Sequence, residues 1–97
     1  MFRHVVLLRW KPDATPEQRA AVEVGLATLP GLIPEIRGYT IGADAHVNEG
    51  NYDFVVVADF DTVDGYVAYR DNADHQTVIR ARIAPILAER AAVQHYL

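Results

Sequence analysis

A four-stranded antiparallel sheet covered on one face by helices, connected β-α-β-β-α-β, is the fold class that this sequence predicts. Three observations carry it. Alternating, Val-rich runs stand at the start and middle of the chain, with a shorter one at its end. Helix-start signals follow the first and third strands, and two successive strands lie between the helices. No internal repeat or low-complexity segment interrupts the order. Helices connected in this way cover one face of the sheet, the ferredoxin-like arrangement, with strand order 4-1-3-2.

Phe2 to Lys11 alternates and is rich in Val and Leu, which predicts the first strand, and Pro12 ends it. Thr15, Pro16 and Gln18 then supply an N-cap hydroxyl, a proline at the first helical position and a capping-box amide. Val22, Leu26 and Leu29 follow on one helix face. Pro30 and Gly31 stop this helix, and Pro34 and Gly38 mark a loop with room for one short turn. The second strand is predicted over Tyr39 to Ala45, a turn over His46 to Gly50, and the third strand over Tyr52 to Phe60. Asp61 or Thr62 caps a short helix reaching about Arg70. Asp71 and Asn72 break it, and Asp74 is placed to cap a longer helix from His75 to about Arg90, kinked at Pro85. Ala92 to Leu97 is the predicted last strand.

The 97 residues are expected to form one domain with a modest core, since chains of this size bury only about 60–65% of their unfolded surface. Half of the chain (51%) is hydrophobic, which excludes disorder. Without cysteine there is no disulfide, thiolate metal site or Cys nucleophile. A net charge of −4 with scattered basic residues argues against a nucleic-acid surface. Arg3 and Arg9 interrupt the first apolar run, so it reads as a strand rather than a signal peptide. No stretch approaches the roughly 20 apolar residues that span a bilayer. A soluble, cytoplasmic protein is the expectation.

Both faces of the predicted sheet are apolar. His4, Val6, Leu8 and Trp10 share one side of the first strand with Tyr52, Phe54, Val56, Ala58 and Phe60 of the third. Val5 and Leu7 between arginines, with Val55 and Val57 between Asp53 and Asp59, form the other. Helices cover only one face, so the second predicts a homodimer built through the helix-free sheet face.

Tyr69 and His75 concentrate the proton-transfer chemistry, across a break between two helical segments. His75 in a first helical turn stays neutral beside the positive end of the helix dipole, as a general base requires. Tyr69 is placed to hydrogen-bond a carbonyl oxygen as negative charge develops on it. The alternative is that both rings pack and satisfy their polar atoms locally. His4 and His95, on neighbouring antiparallel strands, are expected to point to the helix side near Val6, Leu8 and Val93. With His75 they would bring three imidazoles together, a set that suits zinc, copper, iron or nickel. No local metal-ligand spacing accompanies them, so neither metal nor cofactor is predicted. The arginines at 70, 80, 82 and 90 read as a solvated helical face, with Arg70 within reach of an anionic substrate.

The order of these pieces resembles the stress-responsive dimeric α/β-barrel (Dabb) family. The resemblance rests on Phe2 to Lys11, Leu29 to Pro34, Gly42, Tyr52 with Asp53, Asp59 with Phe60, and Tyr69 six positions before His75. It spans essentially the whole chain and implies a ferredoxin-like subunit whose sheet pairs with a second one into a barrel. Some plant members are polyketide cyclases that close a ring by an aldol reaction without a cofactor; others are stress proteins with no established chemistry. In the cyclases the residues matching Tyr69 and His75 carry the acid–base roles, and the one matching His4 lines the pocket. Their first helix presents aromatic side chains to the cavity, where this chain has Val22 and Leu26. Their last strand often carries an acid just before a Tyr, where this chain has His95 before Tyr96.

The expectation is therefore a dimer that binds a small apolar or carbonyl-containing molecule between sheet and helices. His75 and Tyr69 are its catalytic candidates; His4, Val6, Leu8, Val22, Leu26 and His95 line its pocket. Small-molecule binding is the leading reading, and a cofactor-independent, cyclase-like lyase is the activity expected if the protein is an enzyme. A non-catalytic, stress-related structural dimer is the alternative, and a monooxygenase-like barrel or a His-ligated metal site is more remote.

Overall fold

The structure, a computed structural model, describes residues 1–97. Strand β1 (Phe2–Trp10) lies at the centre of the sheet, between β3 (Phe54–Phe60) and β4 (Leu87–Tyr96), with β2 (Gly38–Ala43) outside β3. Every pairing is antiparallel, and the order β2-β3-β1-β4 is the predicted one. No helix is long and apolar enough to cross a membrane.

Alternation along the central strands sorts the side chains. Phe2, His4, Val6, Leu8 and Trp10 of β1, and Phe54, Val56, Ala58 and Phe60 of β3, are all buried on the helix side. Helix α1 (Pro16–Ala27) lays Val22 and Leu26 over them, and Leu29 and Ile33 complete a layer from which solvent is excluded. Each Leu- or Phe-sized side chain buried there stabilises the fold by roughly 1.5–3 kcal/mol relative to exposure.

The capping box at α1 forms as predicted: Thr15 Oγ1 accepts from the Gln18 N–H at 3.1 Å, and Gln18 Oε1 accepts from the Thr15 N–H at 2.8 Å. The helix ends before Pro30, because Thr28 turns its hydroxyl back to the Gly25 carbonyl at 2.7 Å. Pro30 and Gly31 fall inside a short helix, α2 (Leu29–Leu32), instead of stopping one. A proline is tolerated there because first-turn N–H groups have no intrahelical partner.

The strands around the first hairpin are shorter than predicted. β2 stops at Ala43, and β3 starts at Phe54 because Asp53 is diverted to the end of β1. Its N–H donates to the Leu8 carbonyl at 2.9 Å, and its carboxylate accepts from the Trp10 N–H at 2.8 Å.

Helix α3 (Val63–Asp71) starts at Thr62 and breaks where expected. The next helix, α4 (Ala73–Val78), is capped by Asn72 rather than Asp74: Asn72 Oδ1 accepts from the Asp74 and His75 N–H groups at 2.8 and 3.3 Å. Beyond Val78 the chain widens into a π turn (Ile79–Ile83) and tightens into a 3₁₀ turn (Ala84–Ile86). Pro85 cannot extend an i→i−4 ladder, so the helical region ends at Ile86 rather than Arg90, and β4 begins at Leu87 rather than Ala92.

Opposite the helices, Val5, Leu7, Val55 and Val57 form an apolar strip with no cover from the chain itself; Leu7 keeps 36% of its surface exposed. Arg3 and Asp59, directly opposed on β1 and β3, close one end of the strip with a bidentate ion pair of 2.7 and 2.9 Å.

Candidate functional site

The break between α3 and α4 builds the site. Ending α3 at Asp71 leaves its last carbonyls without helical partners. The Arg70 carbonyl is satisfied by side chains from the next helix: His75 Nδ1 at 3.2 Å and Gln76 Nε2 at 2.6 Å. A carbonyl only accepts, so the neutral His75 ring carries its proton on Nδ1 and its lone pair on Nε2. The Tyr69 ring lies against His75 with centroids 4.0 Å apart and planes inclined by 32°.

A cavity of about 210 Å³ opens against these rings, between the helices and the sheet. β1 contributes His4, Val6 and Leu8 to its wall; α1 contributes Leu26; the π turn contributes Ile79 and Ile83. Tyr66 joins Tyr69 from α3, and Arg90 reaches it from β4. The polar atoms sealed without a partner in the chain are Arg9 Nε, Arg19 Nε and the Tyr39 hydroxyl. His75 Nε2 is not among them and makes no hydrogen bond within the chain, which leaves it open to the cavity that Tyr69 also lines.

Burial sets the protonation states. It pushes the His75 imidazole below its usual range, against an opposing pull from the Arg70 and Tyr69 carbonyls. It takes His4 down to about 4, helped by the charges of Arg90 and His75. It drives the Tyr69 phenol far above its usual range, reinforced by Tyr39 and Tyr66. At neutral pH the site thus holds two neutral imidazoles and a phenol that donates a hydrogen bond but does not ionise. His4 has the opposite tautomer to His75. Its Nδ1 accepts from the Gln94 amide at 3.0 Å, so its proton sits on Nε2. Tyr39 is half-buried with its hydroxyl sealed from solvent, close enough to Tyr69 for the two hydroxyls to influence each other.

Of the residues expected from sequence, His4, Val6, Leu8, Leu26, Tyr69 and His75 come together around one cavity. Val22 does not line it; the side chain is fully buried in the core beneath α1. His95 is elsewhere. The register of β1 and β4 sets Gln94 opposite His4 and His95 opposite Arg3, so His95 and Val93 project from the helix-free face. The expected convergence of three imidazoles does not occur, and no group of three metal-ligating side chains forms in the chain. An orienting acid at position 95 would also face away from His75, whose tautomer is fixed by a backbone carbonyl instead.

Sequence reasoning missed Tyr66, Gln94 and Arg90. Tyr66 had a signal, since it precedes Tyr69 by one helical turn and shares its face. The other two depended on the register of β4. A wider depression of about 490 Å³ lies across Leu7, Ala43 and Tyr52. It holds no imidazole, its Tyr52 hydroxyl already meets Glu89 at 3.3 Å, and it belongs to the uncovered sheet surface.

A four-stranded antiparallel sheet with its helices on one face and a His–Tyr cavity beneath them defines a ferredoxin-like α/β protein. The chain belongs to the stress responsive A/B barrel domain (Dabb) family, whose sequence profile matches residues 2–96. It is similar to a dimeric ferredoxin-like protein of unknown function from Thermobifida fusca YX, with 49% identity over 99% of this chain and 90% of that one, and a TM-score of 0.91. A dimeric protein of unknown function from Bacteroides fragilis shares the fold at 22% identity, with 99% and 95% of the two chains covered and a TM-score of 0.86. So does a hydroxynitrile lyase from Passiflora edulis, at 14% identity, 99% and 92% coverage and a TM-score of 0.85. No curated protein matches the chain.

Proposed function

We propose that the protein is a cofactor-independent lyase or cyclase that binds a small carbonyl compound in the His75–Tyr69 cavity, and that it works as a homodimer. One observation carries this reading: the Arg70 carbonyl holds the Nδ1 proton of His75, which leaves an unpartnered Nε2 lone pair at the cavity beside the Tyr69 phenol. In the proposed step His75 Nε2 takes the proton from a carbon next to the carbonyl. The C–H bond breaks, an N–H bond forms, and the electron pair moves onto the carbonyl oxygen. Tyr69 donates a hydrogen bond to that oxygen, and the imidazolium later returns the proton to product. A raised phenol pKa suits Tyr69 to this task, because it keeps its proton while stabilising the charge. The 210 Å³ volume falls below the roughly 300–1,000 Å³ of sites for drug-sized ligands, so the ligand is small. The Passiflora lyase is a precedent for lyase chemistry on this fold and nothing more.

The homodimer reading rests on the uncovered strip of Val5, Leu7, Val55 and Val57, which is the surface that a second sheet would bury. The dimeric Thermobifida relative supports it.

Proton exchange tests the chemistry without knowledge of the natural substrate. Small ketones such as phenylacetone, incubated with the protein in D₂O, are expected to lose α-protons faster than in buffer. His75→Ala should lower the catalysed rate by about 10²–10⁴, and Tyr69→Phe should lower it less. Equal exchange with the native protein and His75→Ala would remove the assignment. A structural dimer is the second reading, favoured by the burial of both rings, with Tyr69 only 3% and His75 only 9% exposed. It predicts a loss of stability in His75→Ala and no exchange in any form.

A further inference from the structure

The wall of the cavity carries two arginines, Arg70 and Arg90, and no carboxylate, in a chain whose net charge is −4. The two are not equivalent. Arg70 is held by Asp71 through bonds of 2.9 and 3.1 Å. Arg90 is in none of the ion pairs of the chain. Its neighbour Glu89 projects from the other face, where it meets Tyr52.

Arg90 is placed by the register of β4. It lies opposite Leu8, on the helix side of an edge strand whose helix-side positions Arg90, Ala92 and Gln94 stay exposed because no helix covers them. The cavity therefore opens toward β4, with Arg90 at its mouth and His75 and Tyr69 on its inner wall. Arg90 is close enough to His4 for its charge to disfavour the imidazolium there.

We infer that Arg90 is a specificity residue that pairs with the carboxylate of the ligand, so that the substrate class of this site is a small oxo acid. This deepens the carbonyl-ligand reading above and rests on it. The planar guanidinium fork matches a carboxylate through two parallel N–H···O bonds, stronger than bonds between neutral groups. With the anion held at the mouth, the carbonyl of the same molecule is directed inward to Tyr69 and its α-proton to His75. Arg70, already neutralised by Asp71, contributes little.

Matched acid and amide pairs test it on the full-length protein. Benzoylformate, 3-phenylpropanoate and hexanoate are each titrated against their primary amides, and binding is read from NMR shifts of Leu8, Leu26 and His75. The acids are expected to bind at least about tenfold more tightly than the amides, as a charge-assisted pair at a partly open site allows. Arg90→Gln should bring the acids to the level of the amides while leaving the amides unchanged. Arg90→Lys should keep part of the preference, and Arg70→Gln nearly all of it. Equal binding of acids and amides by the native protein, or an equal loss of both in Arg90→Gln, overturns the role of Arg90 and leaves the cavity reading standing. No shift around the cavity with any of the six compounds overturns both.

Discussion

The two faces of the sheet are drawn from the same strands, yet they solve different problems. On the helix side, large aromatic and aliphatic residues leave a cavity into which two imidazoles and a phenol project. On the other side, Val5, Leu7, Val55 and Val57 form a narrow strip bounded by Arg3 and Asp59, with no cavity chemistry at all. The difference teaches how so small a chain gives one sheet both a cavity and an uncovered apolar surface. Period-two alternation sends successive residues to opposite duties, so that His4 serves the cavity while Arg3 and Val5 serve the other surface.

The sharpest break falls on the helix-free face. In the proposed dimer, Val57→Glu would set two unpaired carboxylates between facing sheets, and several kcal/mol of lost association is expected from burying such charges. Light scattering should report a monomer whose subunit spectrum is otherwise native. A dimer that persists would place the interface elsewhere. The corresponding change on the other face is Phe60→Ala. Phe60 is fully buried and packs against Tyr69 and Tyr66, with centroids 5.2 and 5.9 Å away. A loss of about 3–5 kcal/mol is expected by denaturant titration, together with a looser Tyr69.

A pH titration separates the faces more finely. The folded pKa of His4, at about 4, lies below its ordinary 6.5. The unfolded chain therefore takes up the proton first as pH falls. Stability is fully present above pH 6.5 and is lost between 6.5 and 4, by something on the order of 2 kcal/mol after allowance for solvent screening. Burial of His75 works in the same direction. His4→Gln should flatten this slope. The ion pair on the other face acts lower, since Arg3 holds the Asp59 carboxyl below its usual range. The smallest expected effect belongs to neither face: Thr15→Ala removes the α1 cap and should lower stability by about 1 kcal/mol.

Most of the architecture was legible in the sequence because local signals agreed with one another. The Thr15–Pro16–Gln18 start, the alternation of β1 and β3 and the break at Asp71 and Asn72 each had a physical signature, and each is found in the structure. Tyr69, His75 and His4 could be grouped because the family resemblance places their counterparts at one pocket. What stayed hidden was settled by pairing rather than by pattern. Ala88, Ala91 and Ala92 look as helical as they do extended, so the point where Pro85 ends the helical region was not visible. Once β4 begins at Leu87, its register with β1 follows from pairing across a bulge at Arg9 and Trp10. A slip of one residue moves every side chain to the other face. That is why Gln94 reaches His4 and Arg90 lines the cavity, while His95 lies on the other face. The backbone carbonyl that orients His75 has no side-chain signature to read.

The central claim concerns two histidines of opposite tautomer facing one cavity, and long-range ¹⁵N–¹H NMR of the imidazole rings at pH 7 tests it directly. The expected result is a proton on Nδ1 and a bare Nε2 in His75, with the reverse in His4. A His75 protonated on Nε2, or on both nitrogens, would leave no lone pair for the proposed base and would contradict the account.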